Sequence, residues 1–216
     1  MKKIKAICTL AVIAVLAVVG IQYIFRVSDE KGLEDRINVS EYRLPVEGFL
    51  MNGEYLILGI ENTEPDSIGV QVKASFYDED GNIIDEDSAE VEGISPGMGY
   101  FLQLYSEKKF ADCKTEINAW IDEGVTVDHK PIGDDVAVNC ERDGQSVVIE
   151  AKNNGKETTK ELMAQALFLK GDQVVDFREK EIFHGELPAR DKTEVTLTSS
   201  EKWSDVIYSV HGYYEK

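Results

Sequence analysis

The sequence predicts an all-β protein, with two tandem antiparallel β-sandwich domains following an N-terminal transmembrane helix. Three observations predict it. One stretch of the chain recurs at a spacing of about 91 residues. Each copy is a series of short apolar or alternating runs separated by turn formers. Ahead of both copies lies an apolar segment, Ala6 to Phe25, with only Thr9 and Gln22 as polar interruptions.

The apolar segment comes first in the chain. About 20 residues in a helix rise roughly 30 Å, the thickness of a bilayer's hydrocarbon core. Lys2, Lys3 and Lys5 precede it, whereas Asp29 and Glu30 soon follow Arg26. The positive-inside rule then places the N-terminus in the cytoplasm and the remainder outside. A cleaved signal peptide is the competing reading, but it wants small residues at the end of the run. Val18-Val19-Gly20 is a poor version, and Ile21 to Phe25 carries the run past it. We therefore expect a signal-anchor over residues 1–26, in a single-pass protein of the cell membrane that contacts the bilayer through residues 4–25. A stalk is expected over 27–42.

The repeat sets the rest of the organisation. Gly53 to Asn62 aligns with Gly144 to Asn153, and Ile83-Ile84-Asp85 aligns with Val174-Val175-Asp176 at the same spacing. Pro96 with Pro188, and Ile117–Trp120 with Val210–Tyr213, follow after a drift of one or two residues. A period this long exceeds any solenoid unit, so it indicates a duplicated domain. The domains are expected over 43–123 and 136–216. Between them a polar stretch punctuated by Gly124, Pro131 and Gly133 makes 124–135 a linker.

Within the first copy, Tyr55 to Asn62 is an apolar run ending in a turn cluster, and Val70 to Tyr77 alternates with the period of a half-buried strand. Asp80-Gly81 suits a tight hairpin, because both residue types tolerate positive φ. Ile83 onward returns as the partner strand, Ser95-Pro96-Gly97 is another turn, and Tyr100–Tyr105 and Thr115–Ile121 supply two more strands. The second copy repeats the pattern at Ser146–Lys152, Met163–Lys170, Gln173–Phe177, Lys192–Thr198 and Val206–Tyr214. A small barrel is the alternative closure for such strands. Lys156 to Leu169 also has helix-forming residues, but its alignment with the Val70 strand argues for β structure. Short strands with turns between them suit an immunoglobulin-like sandwich.

Asn62, the run Phe76-Tyr77-Asp78-Glu79-Asp80-Gly81-Asn82-Ile83-Ile84, and Ser95-Pro96-Gly97 followed by Phe101 form one pattern. In it the first copy resembles the FxLYD-type domain family of bacterial surface proteins, over about residues 47–121. The resemblance implies a small β-sandwich outside the membrane, with no catalytic residues and no cofactor. The second copy departs from the pattern: Phe168-Leu169-Lys170-Gly171-Asp172 replaces the turn, and Leu187-Pro188-Ala189 lacks the glycine.

Charge and side-chain chemistry narrow the function. A net charge of -18 repels nucleic acid and anionic lipid. Cys113 and Cys140, the pair beyond the apolar segment, permit a disulfide in an exported protein but have no metal-type spacing. Asp78, Asp80 and Asp85, with Asp87 nearby, offer carboxylates to a weak cation hairpin, although the spacing is not that of an EF-hand loop. His129, His184 and His211 fall in no ligand motif, and Ser199-Ser200-Glu201-Lys202 lacks the companion motifs of a serine–lysine nucleophile. No catalytic, cofactor-binding or metal-ligating residues are therefore expected. Aromatic residues such as Trp120 and Trp203 are core members or a binding face, the core reading being commoner in small sandwiches. The expectation is a non-enzymatic, membrane-anchored extracytoplasmic protein. Its paired modules would meet another envelope protein or a cell-wall polymer. A carbohydrate-binding accessory and a cation-responsive envelope sensor are the alternatives.

Overall fold

A computed structural model describes residues 32–33, 37–47, 52–122 and 129–215. The expected anchor (1–26), the stalk as far as Lys31 and the linker as far as Asp128 lie outside the described residues. Among the described residues no helix is long and apolar enough to cross a membrane.

The described chain is all-β and antiparallel. Its strands are β1 (Ile37–Glu47), β2 (Asn52–Asn62), β3 (Ile68–Tyr77), β4 (Ile83–Ile94), β5 (Gly99–Ser106) and β6 (Asp112–Ile121), then β7 (His129–Pro131). They continue with β8 (Val136–Asp143), β9 (Ser146–Asn153), β10 (Thr159–Lys170), β11 (Gln173–Glu181), β12 (Lys192–Thr198) and β13 (Asp205–Glu215). Four sheets result: β1-β2-β5 and β4-β3-β6, then β12-β9-β8 and β11-β10-β13-β7. The N-terminal pair of sheets encloses one core and the C-terminal pair another. Apart from β7, the same strand order occurs in both pairs.

Period-two alternation explains most of the layering. In β3, Val70, Val72, Ala74 and Phe76 turn inward and are buried, while Gln71, Lys73 and Ser75 turn outward. In β9, Val147, Ile149 and Ala151 do the same. The turns are closed by residues suited to them. Gly97, at φ +70, lets the Ser95–Met98 turn close through a Met98 N–H to Ser95 C=O bond of 3.0 Å.

Two expectations about boundaries change. β1 begins at Ile37, so residues 37–42 of the expected stalk are strand, with Ile37 and Tyr42 buried. Within the expected linker, β7 adds to the edge of β13, and Ile132 is buried in the second core. The helical alternative for 156–169 gives way to β10, whose bulge after Lys160 takes Glu161 to φ +48.

Sheet β1-β2-β5 also meets β11-β10-β13 across a third core. Tyr42, Ile57 and Phe101 from the first pair pack there against Leu167, Leu169 and Val174 from the second. Ile57 is 0% exposed although its neighbours Leu56 and Leu58 face the opposite side. β2 and β10 are thus buried on both faces, which is why each reads as a nearly unbroken apolar run. Met98, at the tip of the β4–β5 turn, packs against the second core, and the Gly133 N–H donates to the Ser95 hydroxyl at 3.2 Å.

Candidate functional site

Most of the distinctive polar and aromatic residues are spent on the fold, twice over. At the end of β2 the Asn62 amide donates to the carbonyls of Asp66 (2.9 Å) and Ile94 (2.8 Å), and its oxygen accepts from the Glu64 N–H (2.8 Å). At the end of β9 Asn153 donates to Glu157 (2.7 Å) and Leu187 (3.0 Å), and accepts from the Gly155 N–H (2.8 Å). Both asparagines are 0% exposed. A buried amide satisfies several main-chain groups at once, so the same residue recurs where the same crossing loops must be closed.

A second brace joins an arginine to an aromatic ring. Arg43 lies 4.2 Å from the Phe110 ring centroid and donates to the carbonyls of Phe110 and Ala111. Arg142 lies 3.9 Å from the Trp203 ring and donates to the carbonyls of Trp203 and Ser204. Beneath each ring sits a core phenylalanine: Phe76 at 4.7 Å from Phe110, and Phe168 at 5.2 Å from Trp203. Trp203 is 7% exposed and its indole N–H donates to the Gln145 carbonyl, so it is a core member.

The acidic hairpin is divided among different partners. One Asp78 oxygen accepts the N–H groups of Asp80 and Asn82, and both of its oxygens meet the Asn82 amide; these bonds hold its pKa below the usual value. Asp80 lies in the exposed turn. Asp85 and Asp87 instead reach the edge of β5, accepting the N–H groups of Glu107 and Tyr105 at 2.8 Å each. Asp176, aligned with Asp85, accepts the Ser200 N–H beyond β12 at 2.9 Å. The aspartates cover an otherwise open strand edge. Among the described residues no three His, Cys, Asp or Glu side chains come together as a cation would need.

The candidate disulfide is corrected. Cys113 and Cys140 are both free, each half-buried against the core of its own sheet pair. Burial pushes each thiol up to about 11, so both are poor nucleophiles at neutral pH. Ser199 lies under the Asp176 carboxylate, to which its hydroxyl donates at 2.9 Å, rather than beside a lysine. His184 is exposed on a short 3-10 turn at φ 58. His211 lies on β13 with Tyr100 edge-on at 5.2 Å, and loss of solvation lowers its pKa to about 4, against a smaller upward pull from Glu161.

Sequence reasoning missed the contact between the sheet pairs. Gln165, buried on β10, accepts the Phe101 N–H at 2.9 Å and donates to the Phe101 carbonyl at 3.0 Å. Its amide takes the place of a neighbouring strand along β5. The Ser209 hydroxyl donates to the Gly99 carbonyl close by. The signal was present in the two-faced apolar runs, but a polar Gln inside one of them disguised it.

The side chains left over gather on the outer face of β4-β3-β6. Gln71, Lys73, Glu116 and Asn118 line a shallow depression of about 350 Å³ there. Trp120, next along the same face of β6, lies over Gly69: a Cβ at that glycine would meet the indole Cε2 at 2.2 Å. Every buried side-chain nitrogen and oxygen among the described residues already has a partner. The unspent chemistry is therefore on surfaces. Compared with protein-family models and with curated proteins, the chain matches none.

Proposed function

We propose that the chain is a non-enzymatic, extracytoplasmic interaction protein: two copies of one immunoglobulin-like sandwich, tethered through Ala6–Phe25 and displayed outside a membrane. The observation that supports this most is the duplicated set of braces. Asn62 and Asn153, Arg43 and Arg142, and Asp85 and Asp176 each do the same structural work in the two halves. The third core joins the copies into one unit. Such a unit offers outward sheet faces to a partner and keeps its buried polar groups committed to the fold. The likeness of the first copy to FxLYD-type surface domains and the acidic composition agree with this reading.

Protease shaving of intact bacteria that produce the full chain with a C-terminal tag tests it. Loss of the tag, with an anchor fragment kept in carbonate-washed membranes, is expected. A tag protected until the cells are lysed would refute the topology.

A further inference from the structure

The two free outer faces differ in chemistry. On β12-β9-β8, Lys192 pairs with Glu150 and the Ser146 and Thr198 hydroxyls bond at 2.7 Å, and none of the three strands carries an aromatic residue. On β4-β3-β6, the Gln71 amide donates to Glu90 at 2.9 Å, which orients it and leaves its oxygen outward. The side chains of Lys73, Glu116, Asn118 and Trp120 have no partner among the described residues. Glu116, Asn118 and Trp120 alternate along β6, so all three share this face.

Trp120 is the anomaly. It is half-buried and stands outside the first core, where β6 places Cys113, Ile117 and Ala119. A tryptophan laid over a glycine makes a flat apolar plate flush with the sheet, rimmed here by two amides, a carboxylate and an ammonium. Neighbouring side chains on the face are polar, so it lacks the apolar centre of a protein–protein interface. A plate with a hydrogen-bonding rim fits a ring with C–H groups on its face and polar groups around its edge.

We propose that this face binds a neutral oligosaccharide bearing acetamido groups, with Trp120 stacking under one sugar ring and Asn118 and Gln71 bonding its rim. Each side-chain amide can donate and accept, as an acetamido group does. Glu90, Glu116 and the net charge of -18 disfavour sulfated, phosphorylated or uronic-acid polymers. The depression is at the small end of ligand sites, which suits one or two sugar units and weak affinity. The inference rests on the interaction-protein reading and names its partner, but binding is independent of topology. Failure of the shaving experiment leaves it standing, and the reverse also holds.

The test uses the full-length chain in a detergent without sugar headgroups, titrated with a β-1,4-linked N-acetylglucosamine tetramer while the protein's amide NMR shifts are followed, a readout that survives replacement of Trp120. A saturable change is expected, weakened at least about tenfold in W120A and severalfold in N118A, with W120F intermediate. Asn118 is exposed, so N118A keeps the fold whatever happens in W120A. The proposal is overturned if the tetramer produces no saturable change, or if N118A and W120F bind as the parent does. Equal binding of a sulfated tetramer would overturn the choice of a neutral ligand.

Discussion

The N-terminal and C-terminal sheet pairs share their interior braces and differ in what they do with their outer faces. In the first pair the outward side of β1-β2-β5 is apolar and covered; in the second it is the outward side of β11-β10-β13. The contact therefore joins unlike faces, as heterologous contacts do, and such contacts can continue indefinitely. Here the remaining outer faces are polar, which stops the series at two. The braces are what the fold requires of any copy, and the faces are where copies are free to diverge.

The sharpest way to break the equivalence is at the buried asparagines. N62A and N153A each strand main-chain carbonyls that water cannot reach, at about 3–4 kcal/mol each. Denaturant melts should show similar losses for the two. A loss confined to one would mean that the copies do not share this brace.

A somewhat smaller effect separates the halves by pH. The His211 imidazole titrates near 4 when folded and near 6.5 when unfolded, so between those values the unfolded state binds more protons. Stability should fall as pH drops from about 6.5 to 4, by at most about 3 kcal/mol, and this contribution should level off below pH 4. In the H211Q variant that slope should flatten.

Much of this was legible in sequence, and the omissions have physical causes. Where a strand buries one face, as in β3, period two identified it, and β9 followed from its alignment with the first copy. β1 escaped because Ile37 and Val39 face the first core while Tyr42 and Leu44 face the third, so its apolar phase switches midway. β7 is three residues long and carries no periodicity. The arginine braces were hidden because Phe110 is matched by Trp203 and the spacing of the arginines differs from that of the rings. Asn62 and Asn153 stood out in the alignment, yet only the loop geometry shows what they hold. Of the candidate site, Trp120 was visible as an aromatic residue; that it lies outside the core depends on Gly69, a neighbour across the sheet.

The arginine braces should give the smallest change. R43A and R142A each remove an exposed cation–π contact, with two hydrogen bonds lost in R43A and three in R142A, at about 1–2 kcal/mol. R142A should also alter Trp203 fluorescence, whereas R43A should leave it unchanged.

The central claim is that the two copies form one unit through the third core, and amide exchange at Phe101 tests it most directly. That N–H is bonded to the Gln165 side chain of the other sheet pair, whereas neighbouring amides of β5 that pair with β2 are held within their own sheet. The account predicts that the Phe101 amide is strongly protected in the parent protein. In Q165A it should exchange orders of magnitude faster, with the β2-paired amides of β5 still protected. A Phe101 amide that exchanges at the unprotected rate in the parent would contradict the account.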